Sequence, residues 1–222
     1  MPPQPYTTLS QVKNYMGIIS TDTSRDGVIT ALLLPVSRAI DTFCRRQFYL
    51  TTESRVYDWS NSRQFWLDKD LFSLTSITNG DGTMVDTTQI LLYPLNRQDG
   101  PARQVQMKSN GGGLLFNWFM TRQAAITVTG QWGYVEDDGT TPQEITQAAN
   151  VWLGYMTNES DTLGVVMSKA GNFEVQYQAL GEVLKRPPGT VAFMLEGYVW
   201  RTYSSFTPDA PGSMTQSPFY LY

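Results

Sequence analysis

The stretch TDTSRDGVITALLLPVSRAIDTFCRRQF, residues 21–48, decides how the rest of the chain is read. Val28, Ile29, Leu32, Leu33, Val36, Ile40 and Phe43 recur every three or four residues, the spacing that gathers apolar side chains on one helix face. Asp22, Thr23 and Ser24 are all competent N-caps. Thr23 with Asp26 has capping-box spacing, with Asp in place of the usual Glu or Gln. Arg45 and Arg46 stand at the far end, where cations favour the negative pole of the helix dipole. Pro35 removes one backbone hydrogen bond and predicts a bend in the middle.

Upstream, Leu9 to Met16 reads as a short helix, with Thr8 and Gln11 as a capping box and Gly17 as the stop. Downstream, the period changes from helical to alternating. Arg55–Trp59 and Gln64–Leu67 alternate polar and apolar residues, Ala125–Trp132 is β-branched, and Ile90–Tyr93 and Gln104–Lys108 supply two more strands. Asn79-Gly80-Asp81-Gly82 is a turn signal after Leu74–Thr78. Helix returns at Thr141-Pro142-Gln143-Glu144, a cap, an N1 proline and a capping-box Glu, with a stripe of Ile145, Ala148 or Ala149, Trp152 and Met156. Phe173–Tyr177 alternates like a strand or extended arm. Pro188-Gly189-Thr190 opens a last helix bearing Val191, Met194, Leu195 and Tyr198.

The expected fold is therefore α+β. A small helical bundle core comes from the N-terminal helices (1–47) and C-terminal helices (137–203), a β-rich insertion (48–136) lies between them, and an extended tail (204–222) follows. Ile29, Leu33, Val36 and Ile40 should face Ile145, Trp152 and Leu195. In the tail, Pro208, Pro211 and Pro218 disfavour helix, yet it carries Phe219-Tyr220-Leu221-Tyr222, which has no apolar partner nearby in sequence.

Composition narrows the function. A chain of 222 residues with 41% hydrophobic and 16% charged residues can bury a substantial core. No apolar run reads as long enough to cross a bilayer, and the N-terminus lacks a basic-then-apolar signal, so synthesis in the cytoplasm is expected. Cys44 is the only cysteine, which removes intramolecular disulfides and cysteine zinc sites and makes a buried, inert thiol the expectation. There is no histidine, so every His-dependent nucleophile system is absent. Gly111-Gly112-Gly113 precedes an apolar run rather than Lys and a helix, which makes it a turn and not a phosphate loop. The acidic clusters Glu136–Asp138 and Glu159–Asp161 sit among loop residues and read as solvated turns. Neither a metal, a cofactor nor catalysis is expected. A net charge of −4 and a pI near 4.8 argue against a nucleic-acid-binding surface.

Three blocks of sequence, in order, carry a resemblance. The first is Leu9-Ser10-Gln11-Val12-Lys13, Asp22 and Asp26, Ser37-Arg38-Ala39-Ile40-Asp41, and Arg46-Gln47-Phe48. The second is Trp132-Gly133-Tyr134 followed by Pro142, and the third is Pro188, Val191, Leu195 and Tyr198. Together they resemble the head–tail connector (adaptor, head-completion) proteins of tailed bacteriophages. The resemblance implies a structural, non-enzymatic subunit of the virion neck. It would form a dodecameric ring with copies of itself beneath the portal protein and extend a channel through which DNA passes without tight binding. Its lower face would meet the next head-completion or tail protein, and its C-terminal segment would reach toward the portal, with an adjacent subunit as the second docking site.

The partner-binding candidates are Phe219, Tyr220, Leu221 and Tyr222 in the tail. Trp59, Trp66, Trp118, Phe119 and Trp132 are candidates for subunit contacts, and each Trp is equally a candidate for the core. Two other classes fit parts of the sequence. Exposed Trp and Tyr on a sheet could stack on sugars in a carbohydrate-binding or tail adhesion module, although helices at both ends are foreign to sheet-on-sheet modules. A glycosidase-like pair such as Asp58 and Glu136 would require a separation that the sequence does not specify.

Overall fold

The computed structural model describes residues 4–59, 62–96, 100–108, 122–160, 167–170, 173–176 and 186–200. Helix α1 (Leu9–Met16) begins at the expected capping box and ends at Gly17 in the left-handed conformation. Helix α2 (Asp26–Cys44) follows, with Pro35 inside it. The strands are β1 (Thr51–Tyr57), β2 (Gln64–Thr78), β3 (Met84–Val85), β4 (Ile90–Tyr93), β5 (Ala102–Met107) and β6 (Ile126–Trp132). Helix α3 (Gln143–Ser160), a hairpin of β7 (Met167–Ala170) with β8 (Phe173–Gln176), and helix α4 (Gly189–Leu195) complete the order. The α+β expectation holds.

The start of α2 departs from the sequence reading. Its N-cap is Arg25, with no side-chain cap. Asp22 instead accepts from the Ser24 N–H at 2.9 Å. Asp26 is taken by a long-range partner: the Lys13 ammonium of α1 lies 2.9 Å from its carboxylate and donates to the Ser20 and Asp22 carbonyls at 3.1 and 2.6 Å. A buried ammonium with three oxygen partners locks the α1–α2 corner more firmly than a local cap would.

The helices share one core. Val12, Ile29, Val36, Ile40, Cys44, Ile145, Trp152, Leu153, Met156, Val191 and Leu195 are fully buried there. The face that α2 buries runs through Ile29, Leu32, Val36, Ile40 and Cys44, leaving Leu33 and Phe43 at its margin and Val28 exposed. By length and composition alone α2 would pass for a membrane span, with 19 residues and mean hydropathy 1.4, contrary to the sequence expectation. Its buried face, however, packs on α3, and Asp26, Arg38 and Asp41 along it are ion-paired.

The sheet is antiparallel in the order β1-β6-β2-β5-β4, with β3 on β2. It has a core of its own, centred on Leu71, Ile77, Val105, Ile126, Val128 and Trp132. Gly130 explains how β2 can bend across β6: a Cβ there would meet the Ser73 carbonyl oxygen at 2.3 Å, beside the register shifts of β2.

Candidate functional site

Where helices and sheet meet, charge is buried. After α2, Arg45 adopts a left-handed φ of 54°, which turns the chain so that Arg46 enters the interior. The Arg46 Nε lies 3.6 Å from Asp70 of β2, and the Arg103 Nε of β5 lies 3.4 Å from the other carboxylate oxygen. Arg46 stacks over Tyr134 and Trp200 at 4.9 and 5.1 Å, and Arg103 covers Trp200 at 4.8 Å. Trp200 is thus held by two guanidinium groups, and its backbone N–H donates to the Cys44 carbonyl at 2.7 Å. Arg46, read from the sequence as a helix C-terminal cation, is a buried tie between α2, the sheet and the C-terminal segment. Burial pushes the Asp70 carboxyl up to about 6, opposed by the charge of Arg46.

A second, half-buried carboxylate, Asp41, sits nearby. It accepts from the Tyr6 hydroxyl and pairs with Arg38, while the Tyr6 oxygen accepts the Phe48 N–H at 2.9 Å. Burial raises Asp41 to about 6 as well, against the Tyr6 hydrogen bond and the charges of Arg38 and Lys69. Asp41, Arg45, Arg46, Gln47, Tyr49, Lys69, Asp70 and Gly133 enclose a cleft of about 210 Å³. Its carboxylates are paired with cations: Asp41 with Arg38 along α2, and Asp70 with Arg46, the contact that ties the end of the helix to the sheet. Among the described residues no group of three or more His, Cys, Asp or Glu could hold a metal ion. Burial pushes the Cys44 thiol up to about 12, which makes it unreactive.

Two exposed surfaces carry aromatic side chains. On the sheet, pairing sets Trp66, Gln104 and Tyr93 in one row and Gln64, Gln106 and Leu91 in the next. Alternation places both rows on the same side, with Trp66 63% exposed. On the helical side, a groove of about 390 Å³ opens between α1, α3 and α4, lined by Tyr15, Met16, Val151, Gly154, Tyr155 and Thr190.

Of the residues proposed for contacts, Trp66 alone among those described is largely exposed. Trp132 is corrected to a core residue: it is fully buried in its own chain and donates from Nε1 to the Glu53 carbonyl at 3.0 Å. Trp59 is half-buried against the sheet core under Arg122. Trp118, Phe119, Gly111–Gly113 and Phe219–Tyr222 lie outside the described residues.

The carboxylate alternative does not come together. Asp58 follows the Tyr57–Ile126 end of the β1–β6 pair, where it accepts the Ala124 N–H at 2.8 Å; Glu136 follows the Trp132 end. A strand of 7 residues separates the two ends. That amounts to roughly 20 Å, beyond the ~5–9.5 Å that paired-carboxylate hydrolysis uses. Asp138 accepts from the Thr140 N–H and hydroxyl, which lowers its pKa and marks a turn. The junction residues Asp70, Arg103 and Trp200 and the Gly154 groove were missed, because each depends on partners far away in sequence.

No protein-family model and no curated protein matches the chain. Seven solved chains match its fold. One belongs to a structure described as "Neck of empty GTA particle computed with C6 symmetry"; it matches with a TM-score of 0.50 at 13% identity, over 89% of this chain and 91% of that chain. At that identity, the finding is a shared fold extending over nearly the whole length of both chains.

Proposed function

We propose that this protein is a structural neck subunit of a tailed phage or phage-like particle. It forms a ring beneath the portal protein, continues the DNA channel, and offers its far face to the next head-completion or tail protein. The observation that carries the proposal is the fold shared with a neck chain of a gene transfer agent, a phage-like particle, along nearly all of both chains. The ordered connector-like blocks in the sequence agree with it, as does a site whose buried charges fasten layers together. A ring needs one heterologous interface repeated to closure. The two exposed aromatic-bearing faces, on sheet and helices, are candidates for its two sides, and Trp66 is the residue best placed for a contact. The Phe219–Tyr222 segment would dock on a neighbouring chain.

Native mass measurement of the protein alone and after mixing with its portal tests the reading. A closed ring on the portal, with twelve copies as the resemblance implies, is expected even if the free protein is monomeric. Failure to associate with the portal under any condition would overturn it.

A further inference from the structure

The groove between α1, α3 and α4 has properties that the junction cleft lacks. None of its lining side chains is charged. Tyr15 and Tyr155 stand at its mouth, 55% and 45% exposed. Its floor is Gly154, where an added Cβ would come within 3.3 Å of the Tyr15 ring, so any larger residue would crowd the slot. Two uncovered aromatic rings over a glycine floor form the kind of pocket that takes up apolar side chains from a partner.

The chain itself contains a segment of matching chemistry. From Ala210 to Tyr222 no side chain is charged, and Pro218-Phe219-Tyr220-Leu221-Tyr222 concentrates three aromatic rings and a leucine. Trp200, clamped by Arg46 and Arg103, is the last described residue before this segment. The intervening chain could extend on the order of 60 Å at ~3.3 Å per residue. Helix α3, by comparison, is 18 residues long, which makes it about 27 Å. The segment is therefore long enough to leave its own subunit and cross to another.

We propose that the Tyr15–Gly154–Tyr155 groove receives the Pro218–Tyr222 segment of a neighbouring copy, so that each subunit is tied to the next by an arm. The inference rests on the ring reading and makes an adjacent subunit, rather than the portal, the docking site of the tail. Aromatic side chains enter the slot, and the tyrosine hydroxyls at its mouth stay within reach of water.

The test uses the full-length chain with a photo-reactive benzoylphenylalanine at position 220, in a mixture of isotopically light and heavy copies. After irradiation of the assembled ring, cross-links are expected between position 220 of one copy and residues 15–16 or 151–155 of another. Tyr155→Ser at the mouth should reduce their yield several-fold, and Gly154→Leu should abolish them. Gly154 is buried, so the exposed Tyr155→Ser variant keeps the test decisive if Gly154→Leu fails to fold. Rings that form but cross-link only to portal, only within one copy, or equally well in Tyr155→Ser would overturn the groove assignment and leave the ring reading standing. Absence of any ring would overturn both.

Discussion

At the scale of single residues, the junction depends on one glycine and one buried carboxylate. Gly133 has a φ of +145°, and a Cβ there would strike the Tyr49 carbonyl oxygen at 2.2 Å. Its N–H also donates to the Asp70 backbone carbonyl at 2.9 Å. Gly133→Ala should therefore destabilise by more than the ~1 kcal/mol typical of a point substitution, because backbone and not a flexible side chain must yield; a lowered urea midpoint checks it. Asp70 has its carboxyl raised from 3.8 to about 6, chiefly by burial. A folded-state pKa above the unfolded value means that the folded protein holds the proton more tightly. The stability contributed by this group is thus full below about pH 4 and is lost as pH rises through 6. Asp70→Asn removes that titration. Its stability relative to the parent protein should move in the variant's favour by roughly 2–3 kcal/mol between pH 4 and pH 8, since a tenfold change in proton affinity is worth about 1.4 kcal/mol. A difference independent of pH in paired denaturation curves would refute this.

At the scale of elements, α2 shows which positions of an apolar stripe matter. Ile40 is fully buried in the helical core, whereas Leu33 packs only at its margin. Ile40→Ala should cost about 2–5 kcal/mol, as buried aliphatic truncations do, and Leu33→Ala clearly less. Chemical denaturation of the two variants decides the order, and equal losses would mean that the stripe is centred differently. The same element carries the lesson about ends. The capping box of α1 forms because Thr8 and Gln11 are close in sequence. The capping box expected for α2 does not form, because Lys13 takes Asp26. Glu144, in the first turn of α3, accepts the Tyr198 hydroxyl at 3.1 Å and so links α3 to the C-terminal segment.

For the whole molecule, two predictions concern assembly and DNA. Trp66 is 63% exposed on the outer face of the sheet, beside Asp68. Trp66→Ser should change subunit stability by no more than about 0.5 kcal/mol, the usual range for surface positions. It should nevertheless weaken ring formation, since exposed Trp is a preferred anchor of interfaces. Intact assembly in a native mass titration would remove the sheet face from the ring contact. The net charge of −4 leads to the second expectation: the isolated protein binds duplex DNA weakly, because a net negative molecule repels phosphate. Tight binding that collapses with added salt would show a basic surface instead.

The sequence by itself determined what local rules govern. Periodicity placed α2 and α3, the Thr8–Gln11 box and Gly17 bounded α1, alternation placed β1 and the start of β2, and strand-like composition placed β4, β5 and β6. The absence of histidine likewise excluded imidazole chemistry outright. What the sequence could not specify depends on meetings across the chain. Arg46 stands at a helix end and satisfies the local dipole rule as an exposed cation would; only the approach of Asp70, Tyr134 and Trp200 makes it a buried tie. Trp132 alternates in β6 as an interface residue would, and only the packing of Tyr57, Arg55 and the sheet core around it encloses it. Gly154 reads as a weak point in a helix until Tyr15 is seen above it. Caps and stripes follow from neighbours within a few residues, which the sequence displays. Burial and pairing follow from neighbours tens of residues away, and only the folded chain selects those.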